Sequence, residues 1–494
     1  MVRQTDFVLS RRLFLGVSLA GAVASRAFGQ GFSDALAEHD ALALGAMVNR
    51  GAMSASDLVT AAIKRIERLD PQLNAIAAEG FEQALSRAAA YVPDGAPFAG
   101  VPYLLKDLIE YPGLPFQSGS RMFRGNVSDW RSDYVAQTEL AGLIVLGKTT
   151  TPEFGLLPST EPQLTGVTRN PWNLVLSPGG SSGGACAAVA AGMVPFAHAS
   201  DGGGSIRIPA SLCGLFGFKP SRGRQSASRR TQMPADISVD HCVSWSVRDS
   251  ARLLSLTERA GPDAIGFVRG PQSRRLRIGC IMENYYGARP DAEVEQAVSR
   301  TARLCRELDH QVDEAAWSFD GEEFADHFMT VWGAGAAGVA QLYARRMGRP
   351  ADKTVLEPWT LAMAEEFNRK GEAQLHLALA YFDRLTREAE GWHDRYDVFL
   401  SPVTRRATLN VGAFAPTRDP QALRAAVIDF ASYTPVHNVI GAPAMSVPLG
   451  RTASGSPIGS QFAAKVGDDA TLLSLAYELE AAAPWRANRP AIAR

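Results

Sequence analysis

Ten of the 39 residues from Gly179 to Gly217 are glycine, in a chain of 494 residues that holds 45 in all. Glycine loses more backbone freedom on folding than any other residue, so this density points to tight turns or close approach of the backbone to a ligand. Two motifs stand inside it: Gly179-Gly180-Ser181-Ser182-Gly183-Gly184 and Asp201-Gly202-Gly203-Gly204-Ser205-Ile206-Arg207-Ile208-Pro209. Three successive glycines before Ser205 leave backbone N–H groups without side-chain cover, the arrangement that holds a developing oxyanion. Ser205 is therefore the better candidate nucleophile. A lone serine in a glycine-rich turn is ordinarily a turn residue and no more. Two such turns, with Ser181 and Ser205 24 residues apart, weaken that plain reading.

The flanking chain alternates strand and helix patterns. Ser54-Ala55-Ser56-Asp57 has capping-box spacing and opens a helix with Leu58, Ala61, Ala62, Ile66 and Leu69 on one face, ended by Asp70-Pro71. Ala99–Leu105 and Leu143–Leu146 read as buried strands, as do Val194–Ala199, Leu276–Ile281 and Asp397–Leu400. Cys186–Met193 reads as a small-residue helix, and long helical patterns run from about Gly321 to Arg346 and from Thr354 to Trp392. Strands alternating with helices define an α/β architecture. No repeat or low-complexity linker divides the chain, which favours one large domain, residues 30–494, with a helical excursion at about 315–392.

Charge excludes one broad class of partner. Lys plus Arg number 50 and Asp plus Glu 51, so no net basic surface favours nucleic acid. The five cysteines, Cys186, Cys213, Cys242, Cys280 and Cys305, form no CxxC pair, so the spacing indicates neither a zinc site nor a redox motif. At the N-terminus, Arg11-Arg12 directly precedes the apolar run Leu13–Ala24, whose last residues Ala22-Val23-Ala24 are small enough for cleavage. That is the layout of a twin-arginine export signal over residues 1–29, too short to span a bilayer as a helix. It predicts a periplasmic or secreted protein without stable membrane insertion after signal cleavage. Free cysteines in such a protein are expected to be buried or paired.

Two other motifs match a pattern without its context. Gly142-Leu143-Ile144-Val145-Leu146-Gly147-Lys148-Thr149 satisfies G-x4-G-K-T, but Leu-Ile-Val-Leu belongs in a buried strand and not in a loop curling around phosphate. Gly180-Ser181-Ser182-Gly183-Gly184 satisfies G-x-S-x-G, which makes Ser182 the nucleophile of an alternative serine-esterase reading with Asp397 and His437 as partners.

The two glycine-serine motifs together resemble the signature of the amidase signature family. The likeness extends to Gly100-Val101-Pro102, Lys106-Asp107, Gly147-Lys148-Thr149, Pro152-Glu153-Phe154 and Asn170-Pro171-Trp172-Asn173. Downstream it includes Asn438, Gly441-Ala442-Pro443-Ala444, Pro457-Ile458-Gly459 and Gln461, so it covers most of residues 35–485. Phe98–Leu108, Thr168–Asn173 and Pro484-Trp485 look like the 6-aminohexanoate cyclic-dimer hydrolase branch. The resemblance implies a mixed central β-sheet covered by helices on both faces. It further implies an amidase with a Ser-cisSer-Lys triad: Ser205 as nucleophile, Ser181 as the bridging serine on a cis peptide bond, and Lys106 as base. Gly202, Gly203, Gly204 and Ser205 would supply the oxyanion-hole amides. The implied partner is a small-molecule linear or cyclic amide, with no cofactor, no metal and no nucleic acid, and a homodimer stays open.

Elementary chemistry sets a condition on that triad. A lysine acts as base near neutrality only if its pKa falls from ~10.4 toward ~7 to 8, which costs about 4 kcal/mol of lost charge stabilisation. Burial at the end of the apolar run Val101–Leu105 could do this, and strand alternation should turn Asp107 away from Lys106. Asp201 and Arg207 are expected to pair and brace the nucleophile turn, and His198 to be a packed, hydrogen-bonded histidine. Trp332 and Gly333 offer either selectivity or core packing, and Met363 a packing surface. Where many relatives read Asp-Thr-Gly-Gly-Ser, this chain has Gly202, so the first oxyanion amide carries no side chain. Rival readings are the amidotransferase subunit acting on charged tRNA, which the export signal opposes, and a catalytically inactive amidase-fold binding protein.

Overall fold

The computed structural model describes residues 35–229 and 236–493; the expected export signal lies outside the described residues. A small sheet holds β1 (Ile76–Glu79), β2 (Pro102–Lys106) and β3 (Ile144–Thr149) in the order β1-β3-β2, with β2 parallel and β1 antiparallel to β3. A large sheet holds β4 (Phe196–Asp201), β5 (Phe216–Lys219), β6 (Val239–Ser244), β7 (Arg277–Cys280), β8 (Gln311–Glu314), β9 (Val398–Pro402), β10 (Ala444–Arg451) and β11 (Pro457–Ala464). Its order is β4-β6-β5-β10-β11-β9-β7-β8; β9, β7 and β8 run parallel and the other neighbours antiparallel. Helices Arg207–Cys213, Ala292–Glu307 and Asp469–Ala482 pack on β10 and β11, so the sheet is mixed and flanked by helices.

The helix Gly183–Ala190 explains part of the glycine density. All eight of its residues are buried, and it touches β2 and β3 of the small sheet as well as β4 and β6 of the large one. A helix without a polar face is a core helix, and small side chains let its backbone come close to its neighbours. At Gly184 a Cβ would fall 2.3 Å from Thr150 Oγ1 and 2.5 Å from Thr150 N, so only glycine fits.

Several expectations shift in detail. Ser54 caps its helix with a full capping box through Asp57, but the helix runs on through Pro71 to Leu73. It ends where Asn74 turns left-handed, while the Asp70 carboxylate accepts from the N–H groups of Ala75 and Ile76. The pattern from Thr354 to Trp392 divides into helices Pro358–Lys370 and Glu372–Glu390, broken at Gly371 with φ 81°. With Gly321–Met347 they stand between β8 and β9. The phosphate-loop match is strand throughout its second half, with Lys148 buried and its Nζ donating to the Ile109 carbonyl. All five cysteines are free; four are buried and Cys280 is partly so.

Candidate active site

β2 is buried along its whole length and delivers Lys106 as its last residue. The Lys106 backbone N–H donates to His198 Nδ1 at 3.2 Å, which leaves His198 Nε2 to donate to Asp240 Oδ1 at 3.1 Å. His198 is thus the packed, hydrogen-bonded residue expected. Asp107 faces away from Lys106: its carboxylate accepts from the N–H groups of Gln117 at 3.0 Å and Gly119 at 3.2 Å. Burial pushes the Lys106 amine from the ordinary 10.5 down to about 7, although the carboxylates of Asp240 and Asp201 pull it up. No carboxylate among the described residues hydrogen-bonds Nζ; its partners are serines, with Ser181 Oγ at 2.7 Å and Ser182 Oγ at 2.9 Å.

The peptide bond between Gly180 and Ser181 is cis. Ser181 and Ser205 line one cavity of about 420 Å3, together with Gly202 and, from the helix Gly321–Met347, Trp332. Ser205 follows a turn whose shape is held from below. Asp201 accepts from Gly204 N–H at 2.7 Å and Ile206 N–H at 3.1 Å and pairs with Arg207, both side chains fully buried. Arg207 in turn reaches Asn438 Oδ1 at 2.6 Å, Gln461 Oε1 at 2.8 Å and the Thr434 carbonyl at 2.9 Å. Burial alone would raise the Asp201 carboxyl, but the charge and hydrogen bonds of Arg207 hold it well below the usual carboxylate range. The pair braces the turn, as its position suggested, and Asn438 and Gln461 are drawn into the same brace.

The oxyanion reading needs one correction. Gly204, expected to offer its amide, spends that N–H on Asp201 Oδ1. The N–H groups of Gly202, Gly203 and Ser205 donate to no acceptor among the described residues. Gly204 is required for another reason: at φ 126° its absent Cβ would fall 2.3 Å from Thr434 Oγ1, which donates to the Gly203 carbonyl at 2.7 Å. At Gly202 a Cβ would lie 2.9 Å from Ser238 Oγ and 3.1 Å from the Trp332 ring, so a side chain there would require these neighbours to shift. Trp332 stacks on Phe328 with centroids 5.0 Å apart, so it forms a wall of the cavity as well as packing. Gly333 and Met363 meet in the helical core, where a Cβ on Gly333 would lie 3.1 Å from the Met363 carbonyl.

The alternative esterase constellation does not assemble. Ser182 is fully buried, Asp397 pairs with Arg274 and Arg277, and His437 Nδ1 has no partner among the described residues. Sequence reasoning missed Ser200, whose Oγ lies 3.1 Å from Lys106 Nζ. The signal available was alternation along β4, which puts Ser200 on the same face as His198. It also missed Asp240, which lies on β6 opposite Ser200 and has no motif around it.

Fold and site together define an amide-hydrolysing enzyme, and the family model for amidases matches residues 57–473. The chain belongs to the amidase signature family. It is 38% identical over 466 residues to a putative amidase, AmiC, of Mycobacterium tuberculosis (strain ATCC 25618 / H37Rv), covering 93% of this chain and 98% of that protein. It is 35% identical over 483 residues to the 6-aminohexanoate-cyclic-dimer hydrolase of Paenarthrobacter ureafaciens, covering 91% and 96% respectively. A solved structure of 6-aminohexanoate cyclic dimer hydrolase with its substrate superposes with TM-score 0.83 at 31% identity, covering 92% of this chain and 99% of the other.

Proposed function

We propose that the chain hydrolyses a linear or cyclic carboxylic amide through a Ser-cisSer-Lys relay and an acyl-enzyme. The observation that carries this is the 2.7 Å contact between Lys106 Nζ and Ser181 Oγ at the wall of the cavity that Ser205 also lines. Neutral Lys106 takes the Ser181 proton as Ser181 takes that of Ser205, and Ser205 Oγ bonds to the carbonyl carbon. The N–H groups of Gly202, Gly203 and Ser205 hold the oxyanion. Collapse breaks the C–N bond, and the leaving amine receives the proton back through Ser181. Water then repeats the relay on the ester, releasing the acid and restoring Ser205. Leu108, Phe154, Leu156, Val331, Trp332 and Leu375 line the cavity and favour an amide flanked by apolar groups. The likeness to the cyclic-dimer hydrolase supports an aliphatic or cyclic substrate.

The N-terminal sequence supports export by the twin-arginine route and action in the periplasm or outside the cell. Intact mass after a fluorophosphonate, with peptide mapping, tests the nucleophile. The expected single adduct is on Ser205; an adduct on Ser182 would support the esterase scheme, and none on folded protein would support a binding protein. Ser205→Ala and Lys106→Ala should each abolish amide hydrolysis, and full activity in Lys106→Ala defeats the relay. Replacing Arg11 and Arg12 by Lys should leave precursor in the cytoplasm; unchanged export would reject the signal.

A further inference from the structure

A neutral lysine amine has two N–H donors and one lone pair, and only the lone pair can accept a proton from Ser181. Four oxygen atoms surround Lys106 Nζ: Ser181 Oγ at 2.7 Å, Ser182 Oγ at 2.9 Å, Ser200 Oγ at 3.1 Å and the Ser200 carbonyl at 3.5 Å. The bonds made by the serines decide which of these faces the lone pair. Ser182 Oγ gives its one hydrogen to the Ser200 carbonyl at 3.2 Å and accepts from the Ser200 N–H at 3.3 Å, so toward Nζ it acts as acceptor. That uses one N–H of the amine. If the second N–H went to Ser181, the lone pair would face Ser200 and Ser181 could not hand its proton to the lysine. Ser200 lines the cavity, which gives its hydroxyl hydrogen an outlet away from Nζ and leaves its oxygen to accept.

We propose that Ser182 and Ser200 are positioning residues whose hydroxyl oxygens take the two N–H groups of neutral Lys106 and so aim its lone pair at Ser181. The inference rests on the reading of Lys106 as the base. It gives Ser182, the serine of the failed esterase motif, a place in the site, and joins the start of the helix Gly183–Ala190 to β4 around one amine. The charged and titratable groups acting on Lys106 come from every side: Asp240 on β6, Asp201 and His198 on β4, Cys186 on the helix, and Arg229. None of them hydrogen-bonds Nζ among the described residues, so orientation of the amine falls to the serines.

The test compares Ser200→Ala, Ser182→Ala and Ser200→Thr with wild type in the full chain, by amide hydrolysis from about pH 5 to about pH 10. Thermal unfolding of each variant shows that it is folded. Ser200→Ala should lower kcat about tenfold to a hundredfold with little change in KM. Its acid limb should move to lower pH, because the ammonium form loses an acceptor more valuable to it than to the amine. Ser200→Thr keeps the oxygen and should recover most of kcat. Ser182→Ala should show the same pattern and carries the test if Ser200→Ala does not fold. Wild-type kcat with an unmoved limb in the alanine variants overturns the proposal, as does equal loss in Ser200→Ala and Ser200→Thr without a moved limb. Lys106→Ala separates the two readings: if it is inactive while the serine variants are unaffected, this inference alone fails; if it is active, both fall.

Discussion

Lys106 and Lys219 are both wholly buried lysines on strands, and burial pushes both amines down to about 7. Only their surroundings tell them apart. Lys106 Nζ meets the hydroxyls of Ser181, Ser182 and Ser200 beside a cavity. Lys219 Nζ donates to the Pro220 carbonyl at 2.9 Å, and after burial the charge of Arg207 lowers it further while Asp201 and Asp469 pull it up. A displaced pKa therefore marks a lysine taken out of water and not its task. What sets Lys106 apart as the proposed base is a hydroxyl in contact, Ser181, that itself lines a cavity. Arg207, as deeply buried, differs from both in its partner: its guanidinium pairs directly with the Asp201 carboxylate.

The largest effect expected is on activity. Lys106→Ala should cost at least about a thousandfold in kcat/KM, while Lys219→Met should stay within about twofold. Equal loss in both would erase the distinction drawn from their contacts. Stability comes next. Asp201→Asn leaves the Arg207 guanidinium buried without its counter-charge and should destabilise by about 3–5 kcal/mol in denaturant unfolding; a loss under about 1 kcal/mol would mean that Asn438 and Gln461 hold the turn alone.

A smaller effect sharpens the comparison through pH. The folded Lys219 titrates at about 7 against 10.5 for an ordinary lysine, so between those values the unfolded chain binds the extra proton and stability rises with pH. Each such lysine contributes up to about 1.4 kcal/mol per pH unit in that window, and Lys219→Met should remove its share of the slope. The rate should climb with pH through about 7 in both wild type and Lys219→Met, since that limb belongs to Lys106. A limb that moved with Lys219 would reassign it. The smallest effect concerns the wall: Trp332→Ala should shift preference toward bulkier amides by about tenfold, read as the ratio of kcat/KM values for two substrates.

The motifs of the candidate site were legible because their chemistry is local. Glycines beside a serine announce a bare backbone wherever they fold, and an apolar run ending in lysine announces a buried amine. Pairing across the fold was less visible. β10 and β11 were not read as strands, since Pro448 and Gly450 interrupt one and Gly459 the other, and their identity comes from the antiparallel partners they find. Pro71 and Gly371 misled in opposite ways: the first sits inside a helix whose end is set by Asn74, and the second breaks a continuous helical pattern.

By itself the sequence determined the class of the protein, singled out Lys106, Ser181 and Ser205 as candidates for its site, and pointed to bare backbone before Ser205. Each rests on residues close together in the chain, or on motifs specific enough to survive separation. The tertiary structure alone decided that Gly204 gives its amide to Asp201, that Trp332 takes the space above Gly202, and that Ser182 and Ser200 surround the amine of Lys106. These are contacts between groups on different elements. The direction of a hydrogen bond depends on what else each partner can reach, and no spacing along the chain contains that.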